Sequence, residues 1–423
     1  MLYILVFILI LGLLIFVHEL GHFVCARKFG VRAEEFGFGF PPRILGWQRN
    51  KNGKLEFFWR HKAPLEEKVK DPENDDKNIY INKGGTIYSL NLIPIGGFVK
   101  IKGEMGESPD EKDSFANQKA GKRSMILAAG VTMNILLAVV LLTFGLTIGL
   151  PQVIDETTPP SAIISQEKIS ISLVQKSSPA EEAGLKSGDV ILNVDGNKFT
   201  SIEKIQKYIG SKKDGEVEVA VDRLSVGDKL GVLEDKEERE LINQESGALT
   251  KKIKVLSLAD IFPDEGYDDS AGGGIGIAMM KTGFVSFPWY EALWRGPILT
   301  GNWFKEIVLA FYYLFKNLII NHKASMDVAG PVGIAVLAKE VTKLGFVYVL
   351  QFTALLSINL ALINILPIPA LDGGRLLFIL IEKIRRKPIN QKLESAMHNI
   401  VFILLIVLMV LITYRDIVRF IIK

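Results

Sequence analysis

Residues 1–17, MLYILVFILILGLLIFV, carry no charged side chain, and the apolar run continues with few interruptions to about Arg27. A helix needs about 20 mostly apolar residues to cross a bilayer. Three further windows meet or approach that length: SMILAAGVTMNILLAVVLLTFGLTIGL (124–150), LGFVYVLQFTALLSINLALINILPIPAL (344–371) and SAMHNIVFILLIVLMVLITY (395–414). In hydrocarbon every backbone N–H and C=O must find a partner inside the protein, which a helix provides by itself. The fold class predicted is therefore a mainly α-helical membrane protein with four transmembrane helices. The chain is 48% hydrophobic and 23% charged, which adds water-exposed parts between the spans. A net charge of +3 gives nucleic-acid binding no support. The single cysteine, Cys25, excludes an internal disulfide and any cysteine-based zinc site. The first window lacks a basic flank and a small-residue cleavage site, so it reads as retained rather than as a removed signal.

Loop charges set the expected orientation. Residues 26–123 hold 19 Lys and Arg against 14 Asp and Glu, and the short loop 382–394 holds five against two. Segment 151–343 reverses the balance, with 22 basic against 28 acidic residues. Four spans alternate sides, so both basic loops fall on one side. They read as cytoplasmic, with 151–343 and both termini on the outside.

Between the first two spans, 28–123 reads as a β region. Residues 34–48 and 53–60 are strand-like, 61–78 is a polar, mobile insertion, and GGTIYSLNLIPIGGFVKIKGE (84–104) alternates as a β-hairpin around Pro94 and Gly96–Gly97. That last stretch is apolar enough to dip into the membrane where neighbouring protein satisfies its backbone, though a hairpin packed on the protein's own surface fits the same pattern. Residues 160–258 read as one soluble α+β domain, in which SSPAEEAGLKSGDVILNVDGNKFTSIEKIQKYI (177–209) resembles a bacterial PDZ domain. That resemblance implies capture of an extended peptide or substrate segment by strand addition. Residues 284–325 are amphipathic and aromatic, as suits a segment lying flat at the membrane interface.

The chemistry concentrates in His18-Glu19-Leu20-Gly21-His22. Two histidines four apart place both imidazoles on one helix face, able to hold one metal ion, with Glu19 between them able to act on a bound water. Ionisable residues at membrane depth are rare and usually functional. Catalytic zinc commonly takes three protein ligands. The one good carboxylate candidate is Asp372, at the end of an uncharged stretch broken by Pro367 and Pro369 and followed by Gly373–Gly374. The same aspartate also suits a cap on the next helix. Asn134, Asn359 and Asn364 are polar side chains inside spans. Asn364 is the preferred donor to a developing oxyanion, while Asn134 and Asn359 serve equally as helix–helix glue. His61, His322 and His398 stand apart and read as structural or exposed.

HELGH, NLIPIGGFVKIKGE, AAGVTMNILLA, the PDZ-like segment and NILPIPALDGGR occur in an order that resembles the bacterial site-2 proteases, the RseP/RasP branch of intramembrane zinc metalloproteases. The resemblance covers nearly the whole chain. It implies that His18, His22 and Asp372 bind Zn2+, that Glu19 is the catalytic acid/base, that Asn364 lies at the active site, and that 91–104 falls in a membrane-reentrant β-loop. Its substrates would be single-span membrane proteins, of the anti-sigma-factor or remnant-signal-peptide kind. Two departures stand out: Gly130-Val131 replaces the family's usual Gly-Pro, and one PDZ-like segment is present where some relatives carry two. A non-catalytic membrane PDZ scaffold is the alternative reading, and it leaves HELGH and Asp372 without a purpose. A metal transporter would need ionisable residues spread over more spans than this chain provides.

The expected organisation is thus a first span with HELGH (1–27), a cytoplasmic and reentrant β region (28–123), a second span (124–150), an extracytoplasmic PDZ domain (160–258), an interfacial region (284–325), and third and fourth spans (344–371, 395–414).

Overall fold

The computed structural model describes residues 2–50, 53–59, 66–71, 74–82, 84–104, 108–223, 247–261, 273–320, 330–387 and 389–418. In chain order its elements are α1 (Leu2–Lys28), β1 (Ala33–Arg49), β2 (Leu55–Trp59), β3 (Glu66–Asp71), β4 (Asn74–Asn82), β5 (Ile87–Ile101), α2 (Ala120–Ile148), β6 (Leu150–Ile154), β7 (Ile163–Val174), α3 (Pro179–Glu182), β8 (Val190–Val194), α4 (Ile202–Gly210), β9 (Glu216–Arg223), β10 (Gly247–Lys254), β11 (Leu256–Ser257), α5 (Leu258–Ile261), β12 (Gly273–Gly274), β13 (Ile277–Ser286), α6 (Trp289–Ile320), α7 (Pro331–Leu344), α8 (Phe346–Ile365), α9 (Asp372–Arg385) and α10 (Gln391–Ile417). Among the described residues four helices are long and apolar enough to cross a membrane: Tyr3–Lys28, Ala120–Ile148, Phe346–Ile365 and Leu393–Ile417. They overlap the four windows read from sequence, although the third helix stops at Ile365, short of 371, ahead of Pro367 and Pro369. The aromatic helix α6 is not among them.

The chain divides into two compact units. The first comprises Met1–Thr143, Gly296–Thr342 and Val349–Arg415. In it α1 carries a buried stripe, Ile10 and Leu14, that packs with Ala338 of α7 and Phe352 of α8. Helix α7 was not anticipated. Its Lys339, Glu340 and Lys343 break the hydropathy, yet Ala338 is fully buried. Farther along α1, a Cβ at Gly21 would meet the Ala129 carbonyl oxygen of α2 at 2.4 Å, so the glycine is what permits the two backbones to approach so closely.

The three-stranded sheet β2-β1-β5 lies against α1. The expected hairpin over 84–104 takes a different form. β5 bends at Gly96, where φ is +87°, but its two arms flank β1: Phe36 lies opposite Val99 on one side and Tyr88 on the other. Pro94 and paired glycines make a bend legible, but not what sits between its arms. Phe36 and Tyr88 pack on Phe23 of α1 with ring centroids 4.8 and 6.0 Å apart. The polar segment expected as an insertion contains an antiparallel pair instead, Glu66–Asp71 with Asn74–Asn82.

The second unit comprises Phe144–Arg295, Lys343–Tyr348 and Asp416–Lys423. Its core is a six-stranded sheet in the order β10-β9-β8-β7-β13-β6. Ile171, Val194, Val217, Val219 and Val221 of the strands bury against Ala180 of α3, Leu185 just after it, and Ile205 and Ile209 of α4. The helix starts follow the sequence: Ser178 Oγ accepts the Glu181 N–H and Ser201 Oγ the Lys204 N–H. The sheet reaches beyond 160–258 at both ends, because β13 pairs with β7 on one side and β6 on the other.

Candidate metal centre

His18 and His22 sit one turn apart on α1, each 6% exposed. Asp372 is the first residue of α9, and the residue capping that helix is Leu371, with no side-chain hydrogen bond at the cap. Its carboxylate is turned elsewhere: Oδ2 lies 3.0 Å from His18 Nε2 and 3.3 Å from His22 Nε2, and the two imidazole nitrogens are 3.2 Å apart. Ligand atoms about 2.0–2.1 Å from one tetrahedral ion stand about 3.3 Å from each other, so this triangle has the dimensions of three corners of such a shell.

The surroundings fix which nitrogens face inward. His22 Nδ1 lies 2.8 Å from the Ile126 carbonyl oxygen, which can only accept, so Nδ1 carries the proton and Nε2 presents a lone pair. His18 Nδ1 lies 3.2 Å from the Asn134 side-chain amide. Asn134 is fully buried, and its Oδ1 has no partner among the described residues. Rotating that amide, whose two ends are interchangeable in outline, lets Oδ1 accept from His18 Nδ1–H and frees His18 Nε2 for a metal. Asn134 is itself held by Ser357, whose hydroxyl donates to its backbone carbonyl at 2.7 Å.

Ile126, Gly130 and Asn134 are spaced by four and form one face of α2. A Cβ at Gly130 would stand 2.4 Å from His22 Nε2 and 2.8 Å from His18 Nε2, so only glycine leaves room for the imidazoles. Sequence reasoning weighed Asn134 without its link to His18 and missed Gly130 as a spacer. The fourfold spacing was the available signal.

Glu19 and Asn364 line the same small cleft of about 210 Å³ with His18 and Asp372. Glu19 Oε2 accepts the Val99 N–H of β5 at 3.1 Å, and Asn364 Nδ2 lies 3.4 Å from His18 Nε2. Asn359 is not in this group, since its amide donates to Leu355 of its own helix. Among the described residues His18, His22 and Asp372 form the one cluster of His, Cys, Asp or Glu able to share a metal. His398 instead accepts a backbone hydrogen bond from Ala370. His61 and His322 lie outside the described residues.

The sequence pattern described as Peptidase family M50 matches residues 6–58 and 77–408, nearly the whole chain and every residue of this cleft. The chain belongs to peptidase family M50. Among its relatives, the zinc metalloprotease RasP of Geobacillus kaustophilus is 28% identical over 98% of this chain and 97% of its own. RasP of Shouchella clausii is 28% identical over 98% of both. A solved PDZ domain of an SdrC-like protein from Listeria monocytogenes covers 28% of the chain and 92% of its own length, at 21% identity and a TM-score of 0.19. In this M50 chain α2 runs without interruption through Gly130-Val131, so the position that family members often give to proline continues the helix here.

Proposed function

We propose that this M50 peptidase is a zinc metalloendopeptidase that cuts single-span membrane proteins inside the bilayer, with His18, His22 and Asp372 as the metal ligands. The observation that carries the reading is the triangle of donor atoms from α1 and α9, set beside a glutamate within a span-length apolar helix. Two neutral imidazoles and one carboxylate suit zinc, which when bound supplies Lewis acidity for a water and for the scissile carbonyl.

The residues divide the remaining work. Glu19 takes the proton of the attacking water on its carboxylate and hands it to the leaving amine. Asn364, across the cleft, donates its amide N–H to the carbonyl oxygen as negative charge grows there. Gly130 and Ile126 hold the imidazoles in place and move no proton.

A transmembrane helix hides its peptide bonds in its own hydrogen bonds and must be unwound before it is cut. The Gly97–Ile101 arm of β5 pairs with β1 on one side only, and its Val99 N–H points at Glu19 rather than into the sheet. This edge offers the opened segment a strand to pair with, next to the cleft. In this reading the PDZ-like domain, 160–258, is on the outer side of a bacterial inner membrane and holds back substrates whose outer domains have not been trimmed. Anti-sigma factors and remnant signal peptides are the substrate types that fit.

The test is a purified reaction in lipid vesicles with a tagged single-span substrate, and mass spectrometry of the products. The reading predicts cuts within the apolar span that stop when a chelator removes zinc. Cuts confined to the flanking soluble sequence, or unchanged without metal, overturn it.

A further inference from the structure

The carboxylate of Asp372 is carried by a bend, Leu366–Leu371, between α8 and α9, and that bend is wound tightly. The Ile368 N–H donates to the Leu366 carbonyl at 2.7 Å and the Leu371 N–H to the Ile368 carbonyl at 3.1 Å. Ala370 holds φ at +80°, a conformation unusual for a residue with a side chain. The bend also has no slack toward α9. A Cβ at Gly373 would stand 2.2 Å from the carbonyl oxygens of Ile365 and Leu366, and one at Gly374 would stand 2.3 Å from that of Ile368. A shift at Ala370 therefore moves Asp372.

Strained backbone persists only where its surroundings hold it. The Ala370 N–H donates to a partner outside the bend, His398 Nδ1 on α10, at 2.7 Å. The His398 ring also packs on Phe378 of α9, with centroids 5.6 Å apart and the ring planes at 63°. In the apolar window of α10 no residue is buried. A histidine within that window is a polar group placed where an apolar one would cost less, and the one hydrogen bond its ring makes among the described residues is to the bend that presents Asp372.

We infer that His398 is a positioning residue of the metal site: its Nδ1 fixes the Ala370 amide, and through the bend it sets the reach of Asp372 to His18 and His22. The inference rests on Asp372 being a metal ligand. It makes α10 part of the site's support rather than only a membrane anchor.

Two substitutions separate the acceptor from the ring. His398→Phe keeps the aromatic packing against Phe378 and removes the acceptor. His398→Asn gives up the ring and keeps an acceptor at the position of Nδ1. Zinc affinity of the full chain in detergent is read by competition with a chelator, and amide exchange is followed over 366–372. H398F is expected to bind zinc at least about tenfold more weakly and to exchange faster at Ala370, with H398N close to wild type in both. H398F with wild-type affinity overturns the inference, as does H398N losing as much as H398F. His18→Ala in the same assay reports on the ligand set: retained zinc there sinks the metal-site reading itself, whereas zinc lost in H18A and kept in H398F sinks only the role of His398. Should H398F not fold, the wild-type chain decides: an Ala370 amide exchanging at the rate of an unprotected peptide overturns the inference.

Discussion

His18 Nε2 lies 3.0 Å from Asp372 Oδ2 across 354 residues of chain. Each is a polar group that an apolar environment penalises unless it is paired. Asp372→Ala should therefore leave a folded chain that binds no zinc at concentrations that saturate the wild type. Asp372→Glu, one methylene longer, should bind it weakly. Metal-to-protein ratios after gel filtration check both.

Gly130→Ala tests the α1–α2 approach. Alanine favours a helix by about 1 kcal/mol over glycine, so helicity should be kept. The added methyl would nevertheless stand 2.4 Å from His22 Nε2. The expected outcome is an intact helical signal with zinc binding lost. An unchanged zinc content would show that the two helices can separate without harm to the site.

Asn134→Ala leaves the Ser357 contact, which uses the backbone of Asn134, and removes the partner of His18 Nδ1. Loss of an outer partner of a ligating histidine costs about 10–100-fold in metal affinity. Chelator competition should show a drop of that size with little change in melting temperature.

How far the site could be read from sequence depends on how local each signal is. HELGH is contiguous, and Asp372 stands out as an acid closing a long uncharged stretch, so both could be named. A cap role was also open to Asp372 in the sequence, and only the geometry puts the cap at Leu371 instead. Asn134 was recognisable as polar but its partner was not, because nothing local ties residue 134 to residue 18. β5 shows the same limit: Gly96 marks a bend, while the insertion of β1 between the arms depends on pairing between distant segments. In the second unit, Ser178 and Ser201 announce their helices, but β6 and β13 join the sheet from outside the stretch with the PDZ-like pattern.

The second unit also carries a pH-dependent element. Asp195 accepts from Lys212 Nζ at 2.5 Å, from the Glu218 N–H at 2.7 Å and from Tyr208 Oη at 3.0 Å. Partial burial would raise its carboxyl, but these donors outweigh it and hold it below the usual carboxylate range. A depressed folded-state pKa adds stability that is present above the unfolded value of about 3.9 and is lost as pH falls through the folded value. Asp195→Asn should thus lower the denaturant midpoint of this unit at neutral pH, with the gap to wild type closing below about pH 4. A gap that stays constant with pH would contradict the assignment.

The most direct test of the whole account is Glu19→Gln, measured for zinc content and for cleavage of a single-span substrate in the same preparation. Glu19 makes its hydrogen bond to Val99 and is not one of the three clustered donors. The prediction is one zinc per chain, as in the wild type, with cleavage reduced by about 10²-fold or more. Full cleavage by the variant, or loss of its zinc, would contradict the division between metal ligands and proton carrier on which the account rests.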